Sequence, residues 1–165
     1  IRPDSTAWRL RIRDRDVNAW LATRLIPWLR HERDLEWPPD WSRPQVRFAA
    51  DGVRVAARVR DLWGRDRVVS WGLRVNIRDG VLSVEPGTIH LGRLPLPFVH
   101  RRVESMLRDA VTETQEEAFG RMLDLVLGTS SVEAIIPLVD SREVVVSGIE
   151  MEPGAIVIDA RTRLK

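Results

Sequence analysis

Three histidines, His31, His90 and His100, are the first residues to weigh for proton transfer or metal ligation in this chain. A helical metal site pairs a histidine with a second His, Asp or Glu four residues away, and none of the three has such a partner in a confirming context. Asp14 and Asp16 have the types for paired carboxylate chemistry, but a helix N-cap accounts for Asp14 and solvent for Asp16. Ser130-Ser131 lacks the pattern of a nucleophile elbow, no glycine-rich phosphate loop is present, and the absence of cysteine removes thiolate metal sites and a disulfide framework. No catalytic residue, metal ligand or cofactor is therefore expected, and the chain reads as a non-enzyme.

Two other groups of residues point to binding. His100, Arg101 and Arg102 open a helical pattern, where cations oppose the helix macrodipole and, beside free backbone N–H groups, would suit a bound anion such as a phosphate head group. Pairing with acidic neighbours or solvent explains the same cations. Seven tryptophans are many for 165 residues, and Trp8, Trp20, Trp28, Trp37 and Trp41 lie in the first quarter. They form either a core beneath a helix or the wall of an apolar groove, and the pattern does not separate the two.

The elements that must position these residues follow from periodicity. Trp8, Leu10 and Ile12 alternate with Arg9 and Arg11, as in a half-buried strand, and Val17, Trp20, Leu21, Leu25 and Trp28 recur at helical spacing after Asp14. Pro27 lacks an N–H and crowds the carbonyl four residues back, so the helix should kink or restart near Ile26. The proline-rich stretch from His31 to Pro44, with Trp37-Pro38-Pro39-Asp40-Trp41, is a loop.

Three pairs of alternating runs then flank Asp51-Gly52, Asp79-Gly80 and Pro153-Gly154, the grammar of β-hairpins. In the clearest run Trp71, Leu73, Val75 and Ile77 share one face, with Arg74 and Asn76 on the other. Thr88 to Leu91 reads as a strand that enters Gly92-Arg93-Leu94-Pro95-Leu96-Pro97, and from Phe98 to Leu127 the period becomes helical, with Gly128 as its stop and Gly120 as a weak point. Ser131 to Pro137 fits a short helix or a buried strand equally well.

At 165 residues, 44% of them hydrophobic and 30% charged, the chain fits one globular domain over residues 1–165 with a single core. Its formal charge is only +2, yet residues 1–110 carry 21 basic against 14 acidic side chains and residues 111–165 carry 5 against 10. A basic surface toward phosphates, lipid head groups or an acidic partner follows, or else a solvated arginine-rich face. Nucleic acid is disfavoured, because the basic residues alternate along strands and are not clustered on a helix with interleaved aromatics.

Two segments resemble a known family. Asp16-Val17-Asn18-Ala19-Trp20-Leu21 is similar to the "polar, hydrophobic, Asn, x, hydrophobic, Leu" start of the first helix in bacterial YpmS-like membrane-anchored proteins. Gly87 to Pro97 resembles their "Ile-x-Leu-Gly-x-Leu-Pro-Leu-Pro" strand leading into a long second helix; the Trp37–Trp41 loop has no counterpart. The resemblance, over residues 8 to about 127, implies an N-terminal membrane anchor upstream of Ile1 and an extracytoplasmic, cell-envelope location. For the fold it implies an α+β class, with a curved antiparallel sheet wrapped on two helices, the second one long (about residues 98–127), similar to tubular lipid-binding (TULIP-like) folds.

The expected function is non-enzymatic binding of a lipid or other apolar small molecule between sheet and helices. Its walls would be Trp20, Leu25 and Trp28 from the first helix, Trp71, Leu73 and Val75 from the sheet, and Phe98, Val103 and Leu107 from the second. The alternative is a structural or protein-interaction domain in which the same residues make a closed core.

Overall fold

A computed structural model describes residues 6–32, 36–37, 39–60, 64–96 and 117–164. Sixty per cent strand and 18% helix, with every named strand pair antiparallel, place the chain in the α+β class. The elements run β1 (Thr6–Arg13), α1 (Asp14–Thr23), α2 (Leu25–Glu32), β2 (Gln45–Ala49), β3 (Gly52–Arg60), β4 (Asp66–Arg78) and β5 (Val81–Leu91). They continue with β6 (Leu94–Pro95), α3 (Glu117–Val126), β7 (Ser131–Glu133), β8 (Ile135–Pro137), β9 (Arg142–Glu152) and β10 (Ala155–Leu164).

One sheet has the order β1-β10-β9-β8 and the other β2-β3-β4-β5-β6, with β7 also on β5. The ambiguous stretch Ser131 to Pro137 is thus two short strands in different sheets, β7 on β5 and β8 on β9. Buried Ala134 between them donates its N–H to Gly80 and accepts from Val146, so one extended segment staples the sheets together.

Two of the three hairpins turn where their glycine signals stand, at Asp79-Gly80 and Pro153-Gly154. Asp79-Gly80 joins β4 to β5 with φ of 53° and 76°, the left-handed pair of a type I′ turn. The first hairpin differs by one position: Ala49 pairs with Gly52, so its two turn residues are Ala50 and Asp51. The β4–β5 ladder slips between Trp71 and Leu73, where Gly87 and Thr88 together oppose Gly72. This bulge switches the parity of β5, so that Ile89 and Leu91 stay on the face of Leu82, Val84 and Pro86. The predicted strand Thr88 to Leu91 is the end of β5, and Leu94-Pro95 folds back on it around Gly92-Arg93.

Asp14 is the first helical residue; Arg13 occupies the N-cap and no side chain caps it. The N–H of Asp14 instead donates to the Gly154 carbonyl in the β9–β10 turn, and Gly154 N–H donates to Phe48 in β2, locking strand, turn and helix together. Asp14 and Asp16 then sit in the first turn, where the macrodipole favours anions. The helix breaks at Arg24 and restarts at Leu25, with Pro27 in the first turn of α2, where its missing N–H costs nothing.

Asn18 of α1 makes the second tie: its Nδ2 donates to the Val46 carbonyl at 2.8 Å and its Oδ1 accepts from the Val46 N–H at 2.7 Å. The amide thereby stands in for a neighbouring strand on the edge of β2. α3 is unbroken at Gly120 over its described length, while the earlier part of the expected helix, residues 98–116, lies outside the described residues.

Candidate functional site

Register divides the second sheet into two chemically distinct faces. On one, Phe48 of β2, Val53 and Val55 of β3, Trp71, Leu73 and Val75 of β4, and Val84, Pro86 and Ile89 of β5 line up across the strands. Only Phe48, Val84 and Ile89 of these are buried; Trp71, Leu73 and Val75 are half-buried. Trp71 fixes its ring by donating its indole N–H to the Gly87 carbonyl at the bulge, 3.1 Å away.

The helical candidates form their own cluster. The rings of Trp20 and Trp28 lie 6.1 Å apart at 59°, a tilted aromatic pair, and Leu25 is buried. α1 packs on β1 and β2. Two strand spacings, about 10 Å, separate β2 from β4 and its Trp71-Leu73-Val75 row. The structure therefore gives two apolar clusters around one sheet, one helical and one on β4. Phe98, Val103 and Leu107, and the anion candidates His100, Arg101 and Arg102, lie outside the described residues.

No tryptophan among the described residues is buried: Trp8, Trp20 and Trp41 are 37%, 44% and 39% exposed, and Trp28, Trp37 and Trp71 are half-buried. Trp37 donates to the Trp41 carbonyl at 3.0 Å, and with Ile26, Arg30 and Pro39 this pair bounds a hollow against α2.

The opposite face of the second sheet is arginine-rich. Arg47 of β2 stands directly across from Arg54 of β3, and Arg58, Arg60, Arg74 and Arg78 share the face. Arg58 and Arg60 lie 3.7 Å from Asp66, and Arg74 lies 3.3 Å from Glu85. Arg47, Arg54 and Arg78 have no carboxylate partner among the described residues. In the first sheet Arg9 meets Glu150 and Asp159, Arg11 meets Glu152 at 2.7 Å and Arg163 meets Glu143, while Arg13 and Arg161 have no carboxylate partner among the described residues.

Residues considered for reaction chemistry stay apart. His31 is exposed at the end of α2, and His90 faces Ser70 and Pro95 on the polar side of the second sheet. Ser131 pairs with Ser83. Among the described residues no group of three or more His, Asp or Glu side chains is placed to hold a metal ion. No helix of the described residues is long and apolar enough to cross a membrane.

No protein-family model and no curated protein matches this chain.

Proposed function

We propose that the chain is a non-enzymatic binding domain that holds a lipid-like or other apolar ligand along the half-open apolar face of the second sheet, between sheet and helices. In this reading the sheet curves around the ligand and the second helix, running from about residue 98 to 127, completes the wall. The extracytoplasmic, membrane-anchored placement belongs to the same proposal and rests on the resemblance of residues 16–21 and 87–97.

The observation that carries the reading is the amount of apolar side chain left open. Tryptophans that close a core are largely withdrawn from water; here none of the six described is buried. Aromatic and aliphatic side chains left open along one face suit a ligand or partner surface, and such a lining favours an apolar molecule.

Protein stripped of lipid with organic solvent and refolded, then titrated with the fluorescent fatty acid cis-parinaric acid, should show saturable binding with energy transfer from tryptophan. Trp20→Ala removes an exposed ring and should weaken binding about tenfold, the loss of roughly 1.4 kcal/mol of aromatic contact. Equal binding by native and variant protein, with unchanged circular dichroism, would count against Trp20 as a wall; non-saturable binding by both would remove the proposal.

A further inference from the structure

We infer that the arginine-rich face of the second sheet holds a phosphate group over Gly72, gripped by Arg54 and Arg74 with Arg47 beside them. Four observations lead there, none of which depends on the apolar face. First, Arg47 and Arg54 are a directly opposed cross-strand pair of like charge, an arrangement that destabilises a sheet unless an anion bridges it. Second, neither has a carboxylate partner among the described residues, whereas Arg58, Arg60 and Arg74 on the same face each lie within 3.7 Å of one.

Third, a hollow of about 200 Å³ opens beside Arg54, rimmed by Arg74, Glu85 and Asp51 and floored by backbone at Gly72 and Gly87. Fourth, Gly72 leaves the space above its Cα open. It sits inside β4 without a left-handed φ, and a Cβ built on it meets nothing within 4 Å. Glycine weakens a strand interior and marks a bulge or a place where another group comes close to the backbone, and Gly72, opposite the Gly87-Thr88 bulge, leaves room for such a group. A side chain at position 72 would fill the hollow.

The chemistry of the rim selects the ligand. Guanidinium groups match phosphate oxygens with paired, charge-assisted hydrogen bonds. Glu85 lies 3.3 Å from Arg74 and holds that side chain at the rim. Among the described residues the face carries no Phe or Trp on which a base would stack, which disfavours single-stranded nucleic acid.

The test is amide NMR of the ¹⁵N-labelled protein titrated separately with inorganic phosphate and with vesicles of 30% phosphatidylglycerol in phosphatidylcholine, at low and at 0.3 M salt. The inference expects saturable shifts centred on residues 52–54, 72–74 and 85–88. Arg54→Gln should weaken binding about tenfold, and Gly72→Val should abolish it while the rest of the spectrum stays native. Shifts with phosphate assign a free phosphate or phosphoester; shifts with vesicles alone assign a lipid head group. No localised shift with either, shifts spread equally over the arginines of both sheets, or full binding by Gly72→Val would overturn it.

Discussion

Gly52→Ala should lower the melting temperature by about 10 °C, the consequence of roughly 3 kcal/mol of lost stability. Gly52 opens β3 with φ of +142°, a backbone region that side-chain-bearing residues rarely enter, and it is buried. A Cβ there would press on the Leu73 carbonyl oxygen well inside van der Waals contact and lie 3.2 Å from its carbon and 3.3 Å from the Arg74 Cα. All three are backbone atoms of the next strand, so no rotamer change relieves the clash; β3 and β4 must separate. Gly72→Ala is the internal control, since the added methyl points into open space, and its melting point should move by no more than about 2 °C. A Gly52→Ala protein that melts like the native one would show that this turn is not built as described.

The second large effect is expected at Asn18. Asn18→Ala deletes both hydrogen bonds to Val46 and leaves a part-buried N–H and C=O on the edge of β2, a loss of about 2–3 kcal/mol measurable by urea unfolding. It also bares a strand edge, so the variant should self-associate more readily in light scattering. Asn18→Asp separates the two bonds. Its carboxylate still accepts from the Val46 N–H but sets an anionic oxygen against the Val46 carbonyl, whereas the protonated acid can donate there as the amide does. The folded state thus favours the protonated form, the folded-state pKa lies above the unfolded value, and the variant's stability is lost as pH rises through it. The deficit of Asn18→Asp relative to the native protein should therefore be smaller at about pH 4 than at pH 7. A deficit independent of pH would mean that the carbonyl contact carries little weight.

The hairpins were legible because glycine beside a tight turn announces itself locally, and β9 and β10 keep the extent of their alternating runs, although a bulge opposite Asp159 and Ala160 shifts their register. The break at Arg24 was legible for the same kind of reason, since Pro27 acts on its own helix. Register was harder. An Asp51-Gly52 turn would pair Arg47 with Ala56; moving the turn by one residue to Ala50-Asp51 brings Arg47 opposite Arg54, and the arginine pair exists only because of that shift. The bulge at Gly87-Thr88 was equally hidden, since its purpose, keeping Ile89 on the face of Val84, depends on the partner strand. Asp14 looked like a cap because its own sequence cannot show that Gly154, 140 residues away, supplies the bond. Ser131 to Pro137 was ambiguous because it divides between two sheets, with too few residues in either to show a period.

Of the candidate site, Trp71, Leu73 and Val75 were readable as one face from alternation, and Trp20 and Trp28 as neighbours two helical turns apart. Whether tryptophans line a wall or fill a core is a property of what covers them, and no spacing encodes it. Their exposure is what now favours the wall.

The central claim, that the half-open apolar face holds a ligand, is tested most directly by native mass spectrometry of protein purified without detergent from a lipid-containing host. The account predicts a second species heavier by one lipid-like mass per chain, which organic extraction removes and re-addition of lipid restores. A single species at the mass of the bare chain, unchanged after incubation with lipid, would contradict it.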